Sequence, residues 1–433
     1  MSQFENPVAA VYDRRPFLLI ISALIERRYS KLRHYQAEAR FDPSSDFLLN
    51  SYLRLRSQAF IGQGSQFEGR NQEQNKPGTR RNRRLMAKRT KGTIAVLTGG
   101  GDCPGLNAVI RAIVRRALML GYQVLGIKNG WLGLVEGAVE PLSLMSVSGI
   151  LPRGGTILGT SRTNPLKSES DMKKLRANLK RLKVDYVIAV GGEDTLGVAR
   201  SLAVQGVHVV GVPKTIDNDV EGTDQTFGFD TAVSIVTEAI DRLHSTAESH
   251  QRVMVVEVMG RHTGWIATVG GLAGGADCIL IPERPTTIEE ISQVLQKRHA
   301  RGRVFSIVVV AEGFKLSGDG HLVTKDQKLD QFGHVHLGGI GEVIGREIEK
   351  RTGFETRVTV LGHIQRGGSP TAFDRVLGTR YGVKAVDLIE EKKFGSLVSL
   401  RGNRITSVPL GKAMRRLKFV DPELVRTAEI FYG

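Results

Sequence analysis

The sequence is poor in cysteine, and its N-terminal part has no apolar run long enough to cross a bilayer. Only Cys103 and Cys278 occur among 433 residues, which excludes a disulfide framework and predicts a reducing, cytoplasmic location. The apolar run over residues 16–25 is about half as long as the ~20 residues that a membrane helix needs, so no membrane partner is expected. With 41% hydrophobic and 24% charged residues, the composition is that of a globular protein with two or three domains.

Basic residues are concentrated in the first part of the chain. Residues 1–91 hold 18 Lys and Arg against 8 Asp and Glu, so they carry +10 of the formal net charge of +17. The Gln, Asn, Gly and Arg content over 61–91 predicts a disordered linker. Met86 stands just before the first predicted strand, which suggests that translation starts at or near it and that the leader before it is not translated. A solvated extension is the simpler interpretation of this basic segment, and no nucleic-acid partner is expected.

One stretch, residues 185–219, carries most of the predicted chemistry. Two apolar runs, over 186–190 and 207–212, predict buried strands joined by a helix. Polar residues follow the carboxyl end of each strand, where open α/β sheets bind their ligands. These residues are Glu193, Asp194, Thr195, Lys214, Thr215, Asp217 and Asp219. Four carboxylates beside a lysine and glycine-rich turns favour a metal-assisted phosphoryl-transfer site.

Two glycine-rich loops lie near this stretch in the predicted fold. Residues 99–102 (GGGD) follow a predicted strand and precede a helix, which is an arrangement that binds anions through backbone N–H groups. The loop lacks the spaced GxGxxG pattern of dinucleotide-binding proteins, and no acid ends the next strand. The second loop, 154–162, ends in Arg162. It is either a surface turn or the carrier of an Arg that neutralises the transferred phosphoryl group, and the residues alone leave both open.

Phosphoryl transfer needs a metal ion, a base and cations around the moving group. Glu193 or Asp219 is expected to hold Mg²⁺, and Asp217 to act as the base. Lys214, Arg162 and Gly100 are suited to the donor phosphates. Further cations fall at predicted strand ends and suit an acceptor that is itself a phosphate ester: Arg252, Arg261, Arg357, His363 and Arg366. Each Arg taken alone is more simply a surface ion pair.

The alternation of strands and helices across residues 93–390 predicts an α/β fold of two Rossmann-like lobes, each with a mostly parallel sheet. The polar segment 316–331 is predicted to be a loop. The pattern is weak after Lys393, and residues 421–433 are predicted to form an exposed tail.

These motifs together resemble the phosphofructokinase family. They are GGGDCPGLN (99–107), VGGEDT (190–195), PKTIDND (213–219), QRVMVVEVMGR (251–261), AEG (311–313) and TRVTVLGHIQRGGSP (356–370), in the family's order. The resemblance implies a phosphofructokinase fold over residues 92–433, with the active site between two interleaved lobes. A donor lobe is implied over about 92–228 plus 345–390, and a sugar-phosphate lobe over about 229–344 plus C-terminal segments. It also implies a homodimer or homotetramer.

The family's site residues carry over onto matching positions. Asp217 is implied to accept the proton of the 1-hydroxyl of fructose 6-phosphate, with Lys214 and Asp194 as further catalytic residues. Glu193 is implied to hold Mg²⁺, and Gly100 and Arg162 to lie along the donor phosphates. The implied sugar-phosphate pocket, to which a neighbouring subunit contributes some Arg side chains, consists of Thr215, Ile216, Asp217, Arg252, Met259, Gly260, Arg261, Glu312, Arg357, His363, Ile364, Gln365 and Arg366.

Asp194 is the position that indicates the phosphoryl donor. ATP-using members of the family usually have Gly there, and a carboxylate would repel the α-phosphate of a nucleotide. Pyrophosphate has no third phosphate, so it is the expected donor, in a reversible reaction that forms fructose 1,6-bisphosphate. Asp194 as the N-cap of the following helix is the simpler structural role. An ATP-dependent 6-phosphofructokinase is the alternative; a lipid or dinucleotide kinase and a non-catalytic phosphosugar sensor fit PKTIDND, Asp217 and Lys214 less well.

Overall fold

The computed structural model describes residues 90–317, 324–329 and 335–432. The predictions for residues 1–89, including a translation start near Met86, lie outside the described part of the chain. The strands in chain order are β1 (Thr93–Thr98), β2 (Gln123–Ile127), β3 (Val139–Pro141), β4 (Tyr186–Gly191), β5 (Val209–Pro213), β6 (Val253–Val258), β7 (Cys278–Leu280), β8 (Ser306–Ala311), β9 (Thr324–Leu329), β10 (Val335–Leu337), β11 (Thr356–Val360), β12 (Ser396–Arg401) and β13 (Arg404–Pro409).

The α-helices alternate with these strands, as the apolar periodicity predicts. In chain order they are α1 (Leu106–Leu120), α2 (Trp131–Glu136), α3 (Glu169–Arg181), α4 (Glu193–Val204), α5 (Phe229–His250), α6 (Trp265–Ala273), α7 (Ile288–Ala300), α8 (Ile340–Thr352), α9 (Ala372–Glu390), α10 (Leu410–Ala413) and α11 (Pro422–Glu429). Short 3₁₀ turns occur at Pro165–Lys167 and Gly362–Arg366. No helix among the described residues is long and apolar enough to traverse a bilayer.

The larger sheet has seven strands in the order β13-β12-β5-β4-β1-β2-β3. Its inner strands, from β2 to β12, pair in parallel, and only the edge strands β3 and β13 are antiparallel. Every residue of β1 is buried, as expected for a parallel strand covered on both faces. We call this sheet with its helices the large lobe.

The smaller sheet has four strands in the order β11-β6-β8-β7, all parallel. We call it with its helices the small lobe. Its membership differs from the expected division of the chain, because β11 belongs to this sheet while β12 and β13 return to the large one. The two lobes therefore exchange segments in the last quarter of the chain. Two α/β lobes with mostly parallel sheets are confirmed.

Two predictions for the C-terminal third are wrong. Within the polar segment 316–331, the chain forms β9, which pairs with β10 in an antiparallel hairpin. The end of the chain is not an exposed tail, since residues after 393 form β12, β13, α10 and α11. Ala428 of α11 is buried in the main core, and the Tyr432 hydroxyl donates to the Ile279 carbonyl oxygen at 2.9 Å. The last residues are therefore packed onto the small lobe.

Candidate active site

A cavity of about 430 Å³ opens between the two lobes at the carboxyl ends of their strands. Its wall on the large lobe is formed by Gly100, Gly101, Arg162, Gly192, Glu193, Asp194, Thr195, Lys214, Thr215, Asp217 and Asp219. Its wall on the small-lobe side is formed by Met259, Arg261, His262, Glu312, Leu337, His363 and Arg366. The structure thus brings together 12 of the 18 residues proposed from the sequence, at the sheet edge where α/β proteins bind ligands.

The glycine loop after β1 is fixed by contacts on both sides. The Gly100 N–H donates to the Ser161 carbonyl at 3.1 Å, and the Thr160 hydroxyl donates to the Gly100 carbonyl. This pairing joins the two glycine-rich loops, so the loop that carries Arg162 lines the cavity instead of forming a remote surface turn. A Cβ on Gly101 would overlap the Arg366 guanidinium, so a side chain here would displace that group from the cavity wall.

Lys214, directly after β5, is buried beneath the glycine loop. Its side chain is 3% exposed, and its ammonium group donates to the Gly101 carbonyl oxygen. Burial lowers the pKa of Lys214, because a low-dielectric surrounding disfavours the charged form. The ammonium group thus reaches the loop that is predicted to bind donor phosphates.

Five carboxylates line the same cavity: Glu193, Asp194, Asp217, Asp219 and Glu312. Burial, together with the negative charge of Asp217, raises the pKa of Asp219 to about 7. Burial also raises the pKa of Glu312 to about 7, again with a contribution from Asp217. A bound cation would offset the like charges that are gathered in this part of the cavity.

Asp217 is held by its backbone while one side-chain oxygen has no partner. Its N–H donates to the Thr215 hydroxyl at 3.1 Å, and its carbonyl accepts from the Thr263 hydroxyl at 3.3 Å. Within the described structure, its Oδ1 atom is buried without a hydrogen bond. Buried polar atoms are normally paired, so this atom marks a place where a ligand group is expected to bind.

Asp194 lies in the first turn of α4, which begins at Glu193. The N-cap residue is Gly192, which has no side chain to cap the helix, so the alternative role of Asp194 as N-cap is wrong. The side chain of Asp194 instead forms part of the cavity wall beside Lys214 and the glycine loop.

Arg252 and Arg357 lie at the other edge of the small sheet. Arg252 immediately precedes β6 and Arg357 is the second residue of β11, so both stand at the amino ends of parallel strands. Both guanidinium groups contact the Glu355 carboxylate, Arg252 at 2.8 Å, and this hydrogen bond lowers the pKa of Glu355. Neither Arg lines the cavity of its own chain.

Four other predicted residues lie near the cavity without lining it. Ile216 is packed in the core, and Ile364 is 66% exposed at the surface. Gln365 is buried, where its side-chain oxygen accepts the Met259 N–H at 3.3 Å and so fixes the loop after β6. Gly260 lies in that loop with φ +139°, a conformation that favours glycine.

Sequence reasoning missed five residues of the cavity as site members: Gly101, Gly192, Thr195, His262 and Leu337. Asp219 was considered only as an alternative metal ligand. His262 follows Arg261 in the loop at the carboxyl end of β6, so its position in the sequence could have identified it as a residue of the site. Leu337 ends β10, which the sequence did not predict as a strand.

The carboxylates fit a divalent metal ion, although no group of three or more His, Cys, Asp or Glu side chains across the described ranges has the arrangement of a protein-only metal site. Mg²⁺ prefers oxygen ligands and usually binds one or two carboxylates together with water and substrate phosphates. Glu193 and Asp219 supply such carboxylates beside the glycine loop.

A carboxylate with an unpartnered oxygen, a buried lysine and a glycine-rich loop lie in one cleft between two α/β lobes, an arrangement that suits a phosphotransferase. The model of the phosphofructokinase family matches residues 93–389. The chain belongs to the phosphofructokinase family, which confirms the resemblance in the sequence motifs. Phosphotransferases of this family generally use a divalent metal.

Curated relatives match over almost their whole length. The chain is 57% identical over 342 residues to the pyrophosphate–fructose 6-phosphate 1-phosphotransferase of Streptomyces coelicolor, covering 78% of this chain and 99% of the relative. It is 52% identical over 342 residues to the ATP-dependent 6-phosphofructokinase of Corynebacterium efficiens, again covering 78% and 99%. Among solved structures, phosphofructokinase from Saccharomyces cerevisiae aligns with a TM-score of 0.68 and 32% identity, over 79% of this chain and 50% of that chain.

Proposed function

We propose that the protein transfers a phosphoryl group reversibly from pyrophosphate to the 1-hydroxyl of fructose 6-phosphate, forming fructose 1,6-bisphosphate. The observation that carries this proposal is the buried, unpartnered Oδ1 of Asp217 in the interlobe cavity. Lys214 and Arg162 lie on the same wall of the cavity as Asp217, and Arg261 and His363 lie on the small-lobe wall. The name of the Streptomyces coelicolor relative supports the same donor and acceptor.

Asp217 acts as the general base. Its Oδ1 takes the proton of the sugar 1-hydroxyl. The 1-oxygen of the sugar then attacks one phosphorus of pyrophosphate, and the bond from that phosphorus to the bridging oxygen breaks, so that orthophosphate leaves. Lys214 and Arg162 stabilise the negative charge on the transferred group and on the departing phosphate. Arg261, His363 and Arg366 bind the sugar phosphate and orient its hydroxyl toward Asp217.

Mg²⁺ is the proposed metal, with Glu193 and Asp219 as the side chains that would hold it. Held there, it would neutralise part of the negative charge of the donor phosphates. The two cysteines are free and buried, which agrees with the proposed reducing location in the cytoplasm.

An assay of the full chain with fructose 6-phosphate and Mg²⁺ tests the donor, with pyrophosphate and ATP compared side by side. We expect turnover with pyrophosphate and a kcat/KM for ATP lower by about 10²-fold or more, since like charges at Asp194 and the α-phosphate cost several kcal/mol. Fructose 1,6-bisphosphate and orthophosphate should regenerate pyrophosphate. Preferred use of ATP would establish the alternative that the Corynebacterium efficiens relative favours.

A second copy of the chain is proposed to complete the sugar-phosphate pocket with Arg252 and Arg357. The Nε atom of Arg252 is buried without a hydrogen-bond partner in the described part, and two cations share the one carboxylate of Glu355. The two guanidinium groups at the amino ends of these strands could therefore also bind a phosphate group. Contribution to the partner's cavity explains why both Arg lie outside their own.

Mixing two inactive variants tests this sharing. Arg357→Ala and Asp217→Asn are each expected to be almost inactive alone. After random mixing, about half of the dimers contain one chain of each variant, and one of the two sites in such a dimer has both residues intact. About a quarter of wild-type activity should therefore return. The matched control mixes Asp217→Asn with Lys214→Met. Those two residues line one chain's cavity, so no recovery is expected. Absence of recovery in the first mixture would place Arg357 outside a shared site.

A further inference from the structure

The segment Leu417–Val420, here called the C-terminal strap, runs across the loop that carries the proposed base. Leu417 forms an antiparallel bridge with Val220, and the Lys418 N–H donates to the Asp219 carbonyl at 2.9 Å. The strap therefore binds the main chain directly after Asp217. The strap itself does not line the cavity.

The Lys418 ammonium group makes three hydrogen bonds to the same loop. It donates to Asn218 Oδ1 at 2.9 Å, to the Thr223 carbonyl at 3.1 Å and to the Asp224 carbonyl at 2.8 Å. All three donor protons of the ammonium are thus directed at this loop. One side chain closes the turn from Asn218 to Asp224.

Asn218, the first of these acceptors, lies between Asp217 and Asp219 in a left-handed conformation. Its φ is +53°, in a region that Asn adopts more readily than most residues other than glycine. Its Oδ1 accepts a second hydrogen bond from the Thr226 N–H at 3.0 Å. The directions of the Asp217 and Asp219 side chains depend on this conformation. The hydrogen bond from Lys418 therefore helps to fix the orientation of the Asp217 carboxylate.

The strap also binds the small lobe. The Trp265 indole N–H donates to the Lys418 carbonyl at 2.8 Å, and the ammonium nitrogen lies 5.0 Å from the centroid of the same ring. The Val420 N–H donates to Glu283, whose carboxylate also accepts the Gly264 N–H at 3.0 Å. Gly264 closes the loop of Arg261 and His262, so the strap connects the two walls of the cavity.

We propose that Lys418 is a positioning residue for phosphoryl transfer, which fixes the Asp217 turn relative to the sugar-phosphate wall. This inference rests on the proposed function. Burial lowers the pKa of Lys418 to about 8, while the charges of Asp219, Asp224 and Glu221 oppose that change. A buried ammonium is costly unless it is fully hydrogen-bonded, and here its partners all belong to the turn of the base.

Lys418→Met tests the proposal by removing the charge while keeping a similar volume. Because a displacement of ~1 Å at a reacting group costs about 10²-fold, we expect kcat to fall by about that factor, with both KM values changed less than about threefold. Lys412→Met, in the exposed part of the same C-terminal region, is the matched control and should leave kcat unchanged. Lys418→Gln is the second variant if Lys418→Met folds poorly, and its kcat should fall at least about tenfold.

Chemical rescue separates positioning from simple packing. In Lys418→Ala, propylammonium should restore kcat by at least about tenfold, whereas the neutral 1-propanol should not, since only the cation can replace three hydrogen bonds. A kcat of Lys418→Met within twofold of wild type would overturn the proposal, as would equal rescue by 1-propanol. Absence of turnover in the wild type with either donor would instead contradict the proposed function.

Discussion

Replacing Asp217 by Asn is expected to lower kcat by about 10²–10⁴-fold, the range that a positioned general base contributes. The substitution keeps the shape of the side chain but removes the ability of Oδ1 to take a proton. The KM for fructose 6-phosphate should change by less than about threefold, because the cations that bind its phosphate are untouched. Steady-state kinetics with pyrophosphate measures both quantities.

Asp241→Asn is the matched control for this prediction. Asp241 lies on the exposed side of α5 and does not line the cavity, so its kinetics should equal those of the wild type. Retention of most of the wild-type kcat by Asp217→Asn would assign the base to another cavity carboxylate. Glu312 would then be the first candidate, since burial raises its pKa to about 7.

Replacing Asp194 by Gly is expected to raise kcat/KM for ATP by about 10²-fold or more. The change removes a negative charge and its volume from the first turn of α4, where the α-phosphate of a nucleotide must pass. Removal of a like-charge contact worth about 3 kcal/mol corresponds to that factor. Lys214 stays in place and continues to bind phosphate, so activity with pyrophosphate should persist. Kinetics with each donor in parallel measures the change.

Two further variants distinguish the effect of the Asp194 charge from the effect of its volume and from the effect of placing glycine in the first turn of a helix. Asp194→Asn removes the charge but keeps the volume, so it should give a smaller gain with ATP than glycine does. Asp171→Gly introduces the same change in the first turn of α3, which does not line the cavity, and should give no gain. If Asp194→Gly leaves ATP turnover unchanged, the charge at this position does not determine the donor.

The fold was predictable where buried parallel strands leave a continuous apolar run. β1, β4 and β8 are of this kind, and their sequences could be assigned without tertiary information. β9 has the sequence TKDQKL, which shows no apolar alternation, and it is a strand only because it pairs with β10. α11 has eight residues, of which Ala428 alone is buried, so its own periodicity could not reveal that it packs on the core.

The site was predictable because its residues follow strands of two sheets, and parallel strands bring their carboxyl ends to one edge. Lys214, Asp217 and Arg261 are in the cavity for this reason. Arg252 and Arg357 stand before or at the beginning of their strands, so the same rule places them at the opposite edge. The sequence pattern placed these Arg residues at strand ends, but it was not used to separate amino ends from carboxyl ends. The contact of Lys418 with Asn218 joins positions 200 residues apart, and no local pattern encodes it.

The return of the chain to its first sheet has a consequence for synthesis on the ribosome. β5 ends at Pro213, but its parallel neighbour β12 begins only at Ser396, after the whole small sheet. During translation the large sheet therefore presents β5 as an unpaired, apolar edge until β12 has emerged. Unpaired edges of this kind recruit strands from other chains. A ribosome that stalls between these two strands thus leaves a product whose β5 edge is open to pairing with other chains.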